Sequence, residues 1–194
     1  MTISELNELL KTRRSIFPKS YIQGKDIPES TLLQILENAN FAPSHRLTEP
    51  WRFKILRGAA KQRLADFMVE DYLAMTPIEA QSEVKMQKMA ENPTRSAVAI
   101  ALVLKRHEEL LPEWEEIASL AMAVQNMWLT CSILGIGCYW SSPTAITLRG
   151  QDFLKLASDE RCFGLFYMGY HNVSTADLPA VRKPIAEKIT WLND

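Results

Sequence analysis

Two short segments of the sequence combine side chains suited to binding an anionic, planar ligand. The first is Arg13-Arg14-Ser15, which follows a helix-like pattern and supplies guanidinium and hydroxyl donors. The second is Pro43-Ser44-His45, which follows another helix-like pattern and supplies backbone amides, a hydroxyl and an imidazole. Because a guanidinium group binds a phosphate through two parallel hydrogen bonds, the segments together predict a site for a phosphorylated cofactor.

Each of these features also has a purely structural interpretation. Arginines at the end of a helix complement its dipole, and an isolated histidine is more often packed than ligand-binding. Trp140-Ser141-Ser142, at the end of a predicted strand, either offers its amides and hydroxyls to a ligand's polar edge or caps the next helix. Arg182-Lys183 is either part of the site or a solvated pair.

The sequence contains none of the motifs that mark a nucleotide phosphate loop, a protein nucleophile or a metal site. It has no GxxxxGK[ST], GxGxxG or GxSxG pattern, and its three histidines form no HExxH or HxxxH pair. The acidic residues Glu113, Glu115 and Glu116 lie at a predicted helix start, where they complement the dipole. We therefore expect no catalytic side chain and no metal, so that the chemistry must come from a cofactor.

Apolar spacing predicts the elements that position the first two segments. It predicts a helix over Ser4–Thr12 and a second helix that opens with the capping-box-like pair Asp26 and Glu29. The buried stripe of the first helix is predicted as Ile3, Leu6, Leu9 and Leu10. Alternation over Trp51–Ile55 predicts a half-exposed strand.

The rest of the chain predicts two long helices, a strand that is buried on both faces and three shorter elements. A helix covers Ala59–Tyr72, and the polar segment Pro77–Asn92 is a candidate mobile cover rather than core. Ala97–Lys105 is a continuous apolar run, typical of a central strand. The longest helix spans Pro112–Leu134 and ends at Gly135, and its wide apolar surface suits a subunit interface. Shorter elements are predicted as a strand over Gly137–Trp140, a helix over Gln151–Ala157 and a strand over Phe163–Tyr170.

Composition and element order predict one α+β domain over residues 1–194. The chain has 194 residues, 47% of them hydrophobic, and a formal net charge of -1, which argues against binding nucleic acid or an anionic membrane surface. No apolar run is long enough to span a bilayer. Cys131, Cys138 and Cys162 form no CxxC pair, so we expect buried free thiols and a cytoplasmic location.

The ordered set of segments resembles the nitroreductase family in its short, single-domain form. The resemblance runs from Arg13-Arg14-Ser15 through APSHRLTEPWRF and the helix containing Gln125-Asn126-Met127 to GCYWSS, GLFYMGY and Arg182-Lys183-Pro184. It implies a mixed, mostly antiparallel sheet flanked by helices, and a homodimer with two FMN sites shared between the subunits. It also implies NAD(P)H as electron donor.

The resemblance assigns cofactor-binding roles to residues along the whole chain. Arg13, Arg14 and Ser15 would contact the phosphate, ribityl chain and pyrimidine edge of FMN, and Arg182 and Lys183 would add charge at the phosphate. Pro43, Ser44 and His45, with Phe41 nearby, would approach from the partner subunit. Trp140, Ser141 and Ser142 would line the isoalloxazine.

Two departures from the family pattern leave specific contacts open. A second basic residue often lies two positions after the serine, where this chain has Phe17, and Lys19 is a candidate substitute. The family pattern before Pro-Trp is Asn-x-Gln, whereas this chain has Leu47-Thr48-Glu49 before Pro50-Trp51. The acidic side chain of Glu49 is therefore a candidate determinant of substrate preference.

The implied activity is hydride transfer from NAD(P)H through the flavin to a nitroaromatic or quinone, with ping-pong kinetics. Reductive dehalogenation and flavin fragmentation on the same scaffold are alternatives. A non-enzymatic flavin-binding dimer is another alternative, and so is a cofactor-free interaction protein. The sequence names neither the physiological acceptor nor the preferred donor.

Overall fold

The computed structural model describes residues 1–175, 178 and 180–193, and a four-stranded antiparallel sheet lies at their centre. The strands follow the order β1-β2-β4-β3. They are β1 (Trp51–Leu56), β2 (Val98–Lys105), β3 (Ile136–Ser141) and β4 (Glu160–Tyr170). The edge position of β1 explains its half-exposed pattern, and β2 is buried over Val98–Leu104 because helices cover both faces of the sheet.

The described residues form seven α-helices, which flank this sheet either directly or through another helix. They are α1 (Ile3–Thr12), α2 (Glu29–Asn40), α3 (Ala59–Met75), α4 (Glu83–Arg95), α5 (Glu113–Ile133), α6 (Thr144–Arg149) and α7 (Gln151–Leu154). The helices α2 and α5 close one core cluster, and α3 and α6 close the other. The predicted α+β class, with a mostly antiparallel sheet flanked by helices, is confirmed. No helix in the described part of the chain combines the length and apolar character needed to cross a bilayer.

Several local predictions were wrong. The pair Asp26 and Glu29 does not cap α2, whose N-cap is Pro28 without a side-chain bond. The capping box belongs to α1 instead, where Thr2 Oγ1 accepts from the amide of Glu5 at 3.2 Å. The sequence pattern also missed two helices: α4, which includes most of the segment Pro77–Asn92 and packs on α3, and α6.

The predicted buried stripe of α1 is not buried in the single chain. No residue of α1 is buried, and Ile3 and Leu10 are 73% and 48% exposed. The helix lies against α5, and the rest of its apolar face has no cover within the described chain. The amphipathic pattern predicted the helix correctly, but pattern alone cannot say which chain covers it.

The segment that follows α1 joins the free edge of β3. The amide of Ile16 donates to the carbonyl of Cys138 at 3.0 Å, and Tyr21 Oη lies 2.8 Å from the carbonyl oxygen of Ile16. This close approach requires a glycine at position 137, because a Cβ there would lie 2.8 Å from Ile16 Cβ. Residues Arg13 to Ser15 are thereby held beside the strand that ends in Ser141.

A buried carboxylate secures the first turn of α5. Glu116 is fully buried, and its carboxylate accepts hydrogen bonds from the Arg106 guanidinium and, at 3.1 Å, from the amide of His107. Its other oxygen lies 2.7 Å from His107 Nδ1. Burial acts to raise the pKa of Glu116, but the hydrogen bonds from His107 and Arg106 outweigh burial and lower it.

Replacing Glu116 with glutamine should destabilise the protein by about 3 kcal/mol at pH 7. This is the low end of the effect of breaking a buried ion pair, because Arg106 keeps its bond to the carbonyl of Leu111. Since the folded-state pKa is lowered, the stabilisation is present at neutral pH and is lost as pH falls below about 4. Urea unfolding at pH 7 and below pH 4 measures the change in the free energy of unfolding, with the exposed Glu109→Gln as control. Equal losses for the two variants at pH 7 would contradict it.

Replacing Gly137 with alanine should lower stability by about 2 kcal/mol, because the added Cβ overpacks against Ile16. The segment beside β3 must then move away, so exchange of the Ile16 amide hydrogen should become faster. Thermal unfolding and hydrogen exchange measure the two effects. The control is Gly24→Asn, since Gly24 has a φ of 73° and a Cβ added there would meet no atom within 4 Å, and asparagine tolerates that conformation. Unchanged exchange at Ile16 would show that Gly137 does not position this segment.

Candidate functional site

Arg13 presents a half-buried cation with free donors at the end of α1. Its guanidinium carbon lies 4.9 Å from the centroid of the Trp128 ring, and its side chain makes no hydrogen bond to any described residue. Burial lowers the pKa of Arg13, and the positive charges of Arg14 and Arg182 lower it further. Arg13 therefore lies within electrostatic range of two further predicted cations, its neighbour Arg14 and the sequence-distant Arg182.

Arg14 is largely occupied by the backbone. Its Nε and Nη2 donate to the carbonyl of Leu178 at 3.1 and 2.9 Å, which ties the C-terminal segment to the end of α1. Its Nη1 donates to the carbonyls of Lys11 and Arg13 at 2.5 and 2.9 Å. These contacts use four of the five guanidinium N–H groups, so Arg14 keeps one donor for a ligand.

Trp128 holds the arginine segment in place, a role that the sequence pattern did not indicate. Its Nε1 donates to the carbonyl of Arg14 at 3.3 Å, while its ring supports the Arg13 guanidinium. The ring meets Phe166 edge-on, with centroids 5.3 Å apart. The available signal was the indole N–H, which needs an acceptor when it is partly buried.

Ser15 and the end of β3 lie along the same edge of the sheet. Ser15 is exposed, and it precedes Ile16, which pairs with β3. Trp140 is fixed by a bond from its Nε1 to the carbonyl of Phe163 at 3.1 Å, and the hydroxyls of Ser141 and Ser142 bond to no described residue. The first and third predicted segments therefore flank the same strand, with Ser15 next to the residue that bonds to Cys138 and the two serines at the strand's C-terminal end.

The segment Pro43-Ser44-His45 lies apart from Arg13, near the start of α5. His45 Nδ1 is 2.6 Å from Glu115 Oε2 near the start of α5, and Ser44 Oγ accepts from the amide of Glu49 at 3.3 Å. Phe41 beside it is 78% exposed, and Pro43 is also exposed.

The loop that follows His45 is strained. Arg46, Leu47 and Glu49 adopt positive φ angles of 53°, 54° and 42°. Left-handed backbone costs a residue other than glycine about 1–2 kcal/mol, and such strain concentrates at functional sites. Because the amide of Glu49 bonds to Ser44, this conformation also fixes the predicted Pro43-Ser44-His45 segment.

A single chain cannot place His45 beside Arg13. His45 contacts α5 at Glu115, whereas Arg13 contacts the same helix at Trp128. At 1.5 Å of rise per residue these two points are about 20 Å apart along the helix. A ligand site that uses both segments therefore needs two copies of the chain.

The remaining predicted cations lie on the exposed C-terminal segment. Arg182 Nη1 donates to the carbonyl of Val181 at 2.9 Å, and its charge reaches Arg13. Lys183 is exposed. Within the described residues no three histidine, cysteine or acidic side chains gather as a metal site would require, and the three cysteines are buried and free, as predicted.

Phe17 and Lys19 line a cleft between α4 and the end of β3. The Phe17 ring packs on Tyr139 with centroids 4.5 Å apart, and Lys19 lines the same cavity of about 380 Å³ as Lys88 of α4. An adjoining cavity of about 340 Å³ is lined by Ser141 and Ser142. The segment Pro77–Asn92, which the sequence analysis treats as a candidate cover, therefore forms one wall of a cleft that extends to Ser141 and Ser142.

Comparison with known proteins identifies the fold and the family. The family model described as "Nitroreductase family" matches residues 10–170. The protein described as "Putative NAD(P)H nitroreductase YfhC" from Bacillus subtilis is 27% identical over 191 residues, which is 96% of this chain and 94% of that protein.

Two crystal structures share the fold. A nitroreductase-like family protein from Bacillus cereus has a TM-score of 0.83 and 22% identity, covering 100% of this chain and 99% of that one. The FMN-dependent nitroreductase NfnB from Mycobacterium smegmatis, solved in complex with NADPH, has a TM-score of 0.76 and 16% identity, covering 99% and 100%. Since the family model covers most of the sequence, the chain belongs to the nitroreductase family.

Proposed function

We propose that the protein is an FMN-dependent oxidoreductase that uses NAD(P)H to reduce an electron-poor nitroaromatic or quinone by a ping-pong mechanism. The observation that carries this proposal is the guanidinium of Arg13, which packs on Trp128 beside β3, bonds to no described residue and has the positive charges of Arg14 and Arg182 within electrostatic range. Membership of the nitroreductase family supports this proposal. The similarity in fold to the M. smegmatis nitroreductase supports it too, because that protein is described as FMN-dependent and was solved in complex with NADPH.

The arginine cluster fits the phosphate of FMN. Three like charges repel one another, and the repulsion lowers the pKa of Arg13 in addition to burial. A phosphate removes that repulsion, and the guanidinium of Arg13, which bonds to no described residue, offers a fork of donors for a bidentate contact. Arg14 contributes one remaining donor and keeps the C-terminal segment with Arg182 close by.

The other predicted residues fit the rest of the cofactor. Ser15 lies next along the chain as a candidate for a pyrimidine edge or a ribityl hydroxyl, and Ser141 and Ser142 offer hydroxyl donors for a ring system. The Trp140 ring packs instead on the core cluster of α2 and α5 and supports this end of β3. Lys183 adds charge beside Arg182. Bound FMN supplies the hydride acceptor and donor chemistry that the side chains lack. The chain orients the ring, limits the access of water and supplies positive charge near the reduced ring.

The overall reaction balances without an acid or base from the protein. One NAD(P)H and one proton reduce a quinone to a hydroquinone. The same pair reduces a nitro group to a nitroso group with release of one water. Protons come from solvent at the open end of the cleft.

The proposal requires a homodimer in which Phe41, Pro43, Ser44 and His45 of one subunit complete the site of the other. The separation of about 20 Å along α5 between the two halves supports this. Further support comes from large apolar side chains that one chain leaves exposed on α1, on α5 and in the C-terminal segment. They include Ile3, Leu10, Met122, Ile133, Ile185 and Trp191. Exposed apolar surface of this extent is typical of a subunit interface.

A single domain over residues 1–194 and a cytoplasmic location complete the proposal. The two core clusters share the same four-stranded sheet, which favours one domain. Three buried free thiols suit a reducing compartment.

The visible spectrum of the purified protein, before and after anaerobic addition of NAD(P)H, tests the function. We expect flavin absorbance that is bleached by NAD(P)H and restored by a quinone or nitroaromatic, with the FMN recovered intact. Flavin that NAD(P)H does not bleach would favour a non-enzymatic flavin-binding dimer. Consumed flavin would indicate fragmentation, and the absence of flavin even after reconstitution would contradict the cofactor.

Replacing Arg13 with alanine should weaken FMN binding about ten- to a hundredfold. The reason is that a hydrogen bond to a charged group contributes about 1.5–3 kcal/mol. Quenching of flavin fluorescence on titration measures the dissociation constant, and Arg63→Ala, on the exposed side of α3, is the control. Equal affinity in the folded Arg13 variant and the control would remove Arg13 from the site.

A further inference from the structure

The cleft between α4 and the end of β3 is lined by side chains to which the proposed function assigns no role. We name it the α4 cleft, and it has two lobes that share Lys88, Asn92 and Tyr139. One lobe, of about 340 Å³, also contains Lys85 and reaches Ser141 and Ser142. The other lobe, of about 380 Å³, also contains Phe17 and Lys19. Each lobe has the volume of a small aromatic ligand site.

The α4 cleft carries a net positive charge. No acidic residue lines the lobe that contains Lys85 and Lys88. In the other lobe Glu91 is already engaged, because Arg95 Nε lies 2.7 Å from its carboxylate and Gln87 donates to it at 2.8 Å. Asp71, which lines a neighbouring cavity with Lys85, forms a bidentate pair with Arg149. Among the described residues, Lys19, Lys85 and Lys88 make no salt bridge.

The walls of the cleft are suited to a flat ring. Tyr139 contacts Phe17 and stacks on Tyr167 with centroids 6.4 Å apart and an interplanar angle of 18°. Met68 and Met89 add adaptable apolar surface to the lobe that contains the serines. Aromatic and thioether walls bind a planar ring, and cations at the rim fix one that carries a negative group.

We propose that the α4 cleft selects electron-poor aromatic acceptors that carry a carboxylate or a phosphate, with Lys85 and Lys88 binding that group. The acceptor ring would lie toward Ser141 and Ser142, and its anionic substituent would extend toward α4. The inference rests on the proposed function, because it assumes that the flavin ring lies against these serines. Lys85 and Lys88 are one turn apart at i and i+3, so both ammonium groups face the same side of α4.

Two probes of similar shape and different charge test the selection. We would measure the binding of 4-nitrobenzoate and of 4-nitrobenzamide to the oxidised flavoprotein by calorimetry, with no electron donor present. We would then measure kcat/KM for both compounds. The readout is the benzoate-to-benzamide ratio, in wild type, Lys88→Gln and Lys85→Gln/Lys88→Gln. The control is Lys105→Gln, since Lys105 pairs with Asp159 at 3.8 Å and does not line the cleft.

We expect Lys88→Gln to lower the ratio about tenfold in both binding and kcat/KM, because the carboxylate loses a charge-assisted hydrogen bond. The double variant should lower it further, and Lys105→Gln should leave it at the wild-type value. An unchanged ratio in the double variant would overturn the inference. So would an effect confined to the rate of flavin reduction by NAD(P)H, because it would assign the lysines to the phosphates of the donor.

The failure of this inference is distinguishable from failure of the proposed function. If 4-nitrobenzamide reoxidises the reduced flavin in wild type and the ratio does not respond to the lysines, only the acceptor selection is wrong. If neither compound reoxidises a flavin that NAD(P)H has reduced, and quinones also fail, the proposed function itself is wrong.

Discussion

The site depends on the attachment of the Arg13–Phe17 segment to the free edge of β3. One backbone hydrogen bond from Ile16 to Cys138 and the missing side chain of Gly137 bring the segment against the strand. Trp128 then supports it from α5 by bonding the Arg14 carbonyl and underlying the Arg13 guanidinium. Without this attachment the arginines would be solvated cations at the end of a short helix. With it, they lie beside the strand whose far end carries Ser141 and Ser142.

The second constraint is the length of α5. Its two ends hold the two halves of the proposed site, with His45 near the start and Arg13 against the C-terminal half. A helix of 21 residues cannot bring these halves together within one chain, which is why the proposed site requires two copies of the chain. The exposed apolar side chains of α1 and α5 are consistent with this arrangement, because they are uncovered in one chain and would be covered in a dimer.

The sequence predicted most of the framework and supplied the candidate residues of the proposed site, but not where those residues lie relative to one another. The strands β1, β2 and β4 and the helix α5 carry strong periodic or continuous apolar signals, and each was found within a few residues of its observed position. The helix α4 was missed because its sequence is polar and contains Pro93. The stripe of α1 was predicted as buried because an amphipathic pattern does not tell an internal core from a subunit interface. The role of Trp128 depends on a contact between residues that are distant in sequence, and no local pattern encodes it.

The most direct test of the arginine cluster is a comparison of FMN with riboflavin, which lacks only the phosphate. Both would be titrated into the cofactor-free protein at fixed ionic strength. If the arginines beside β3 bind the phosphate, FMN should bind about ten- to a hundredfold more tightly than riboflavin, as expected for the loss of charge-assisted hydrogen bonds. The difference should shrink at high salt. Equal dissociation constants would show that these cations do not form the phosphate site and would contradict the central proposal.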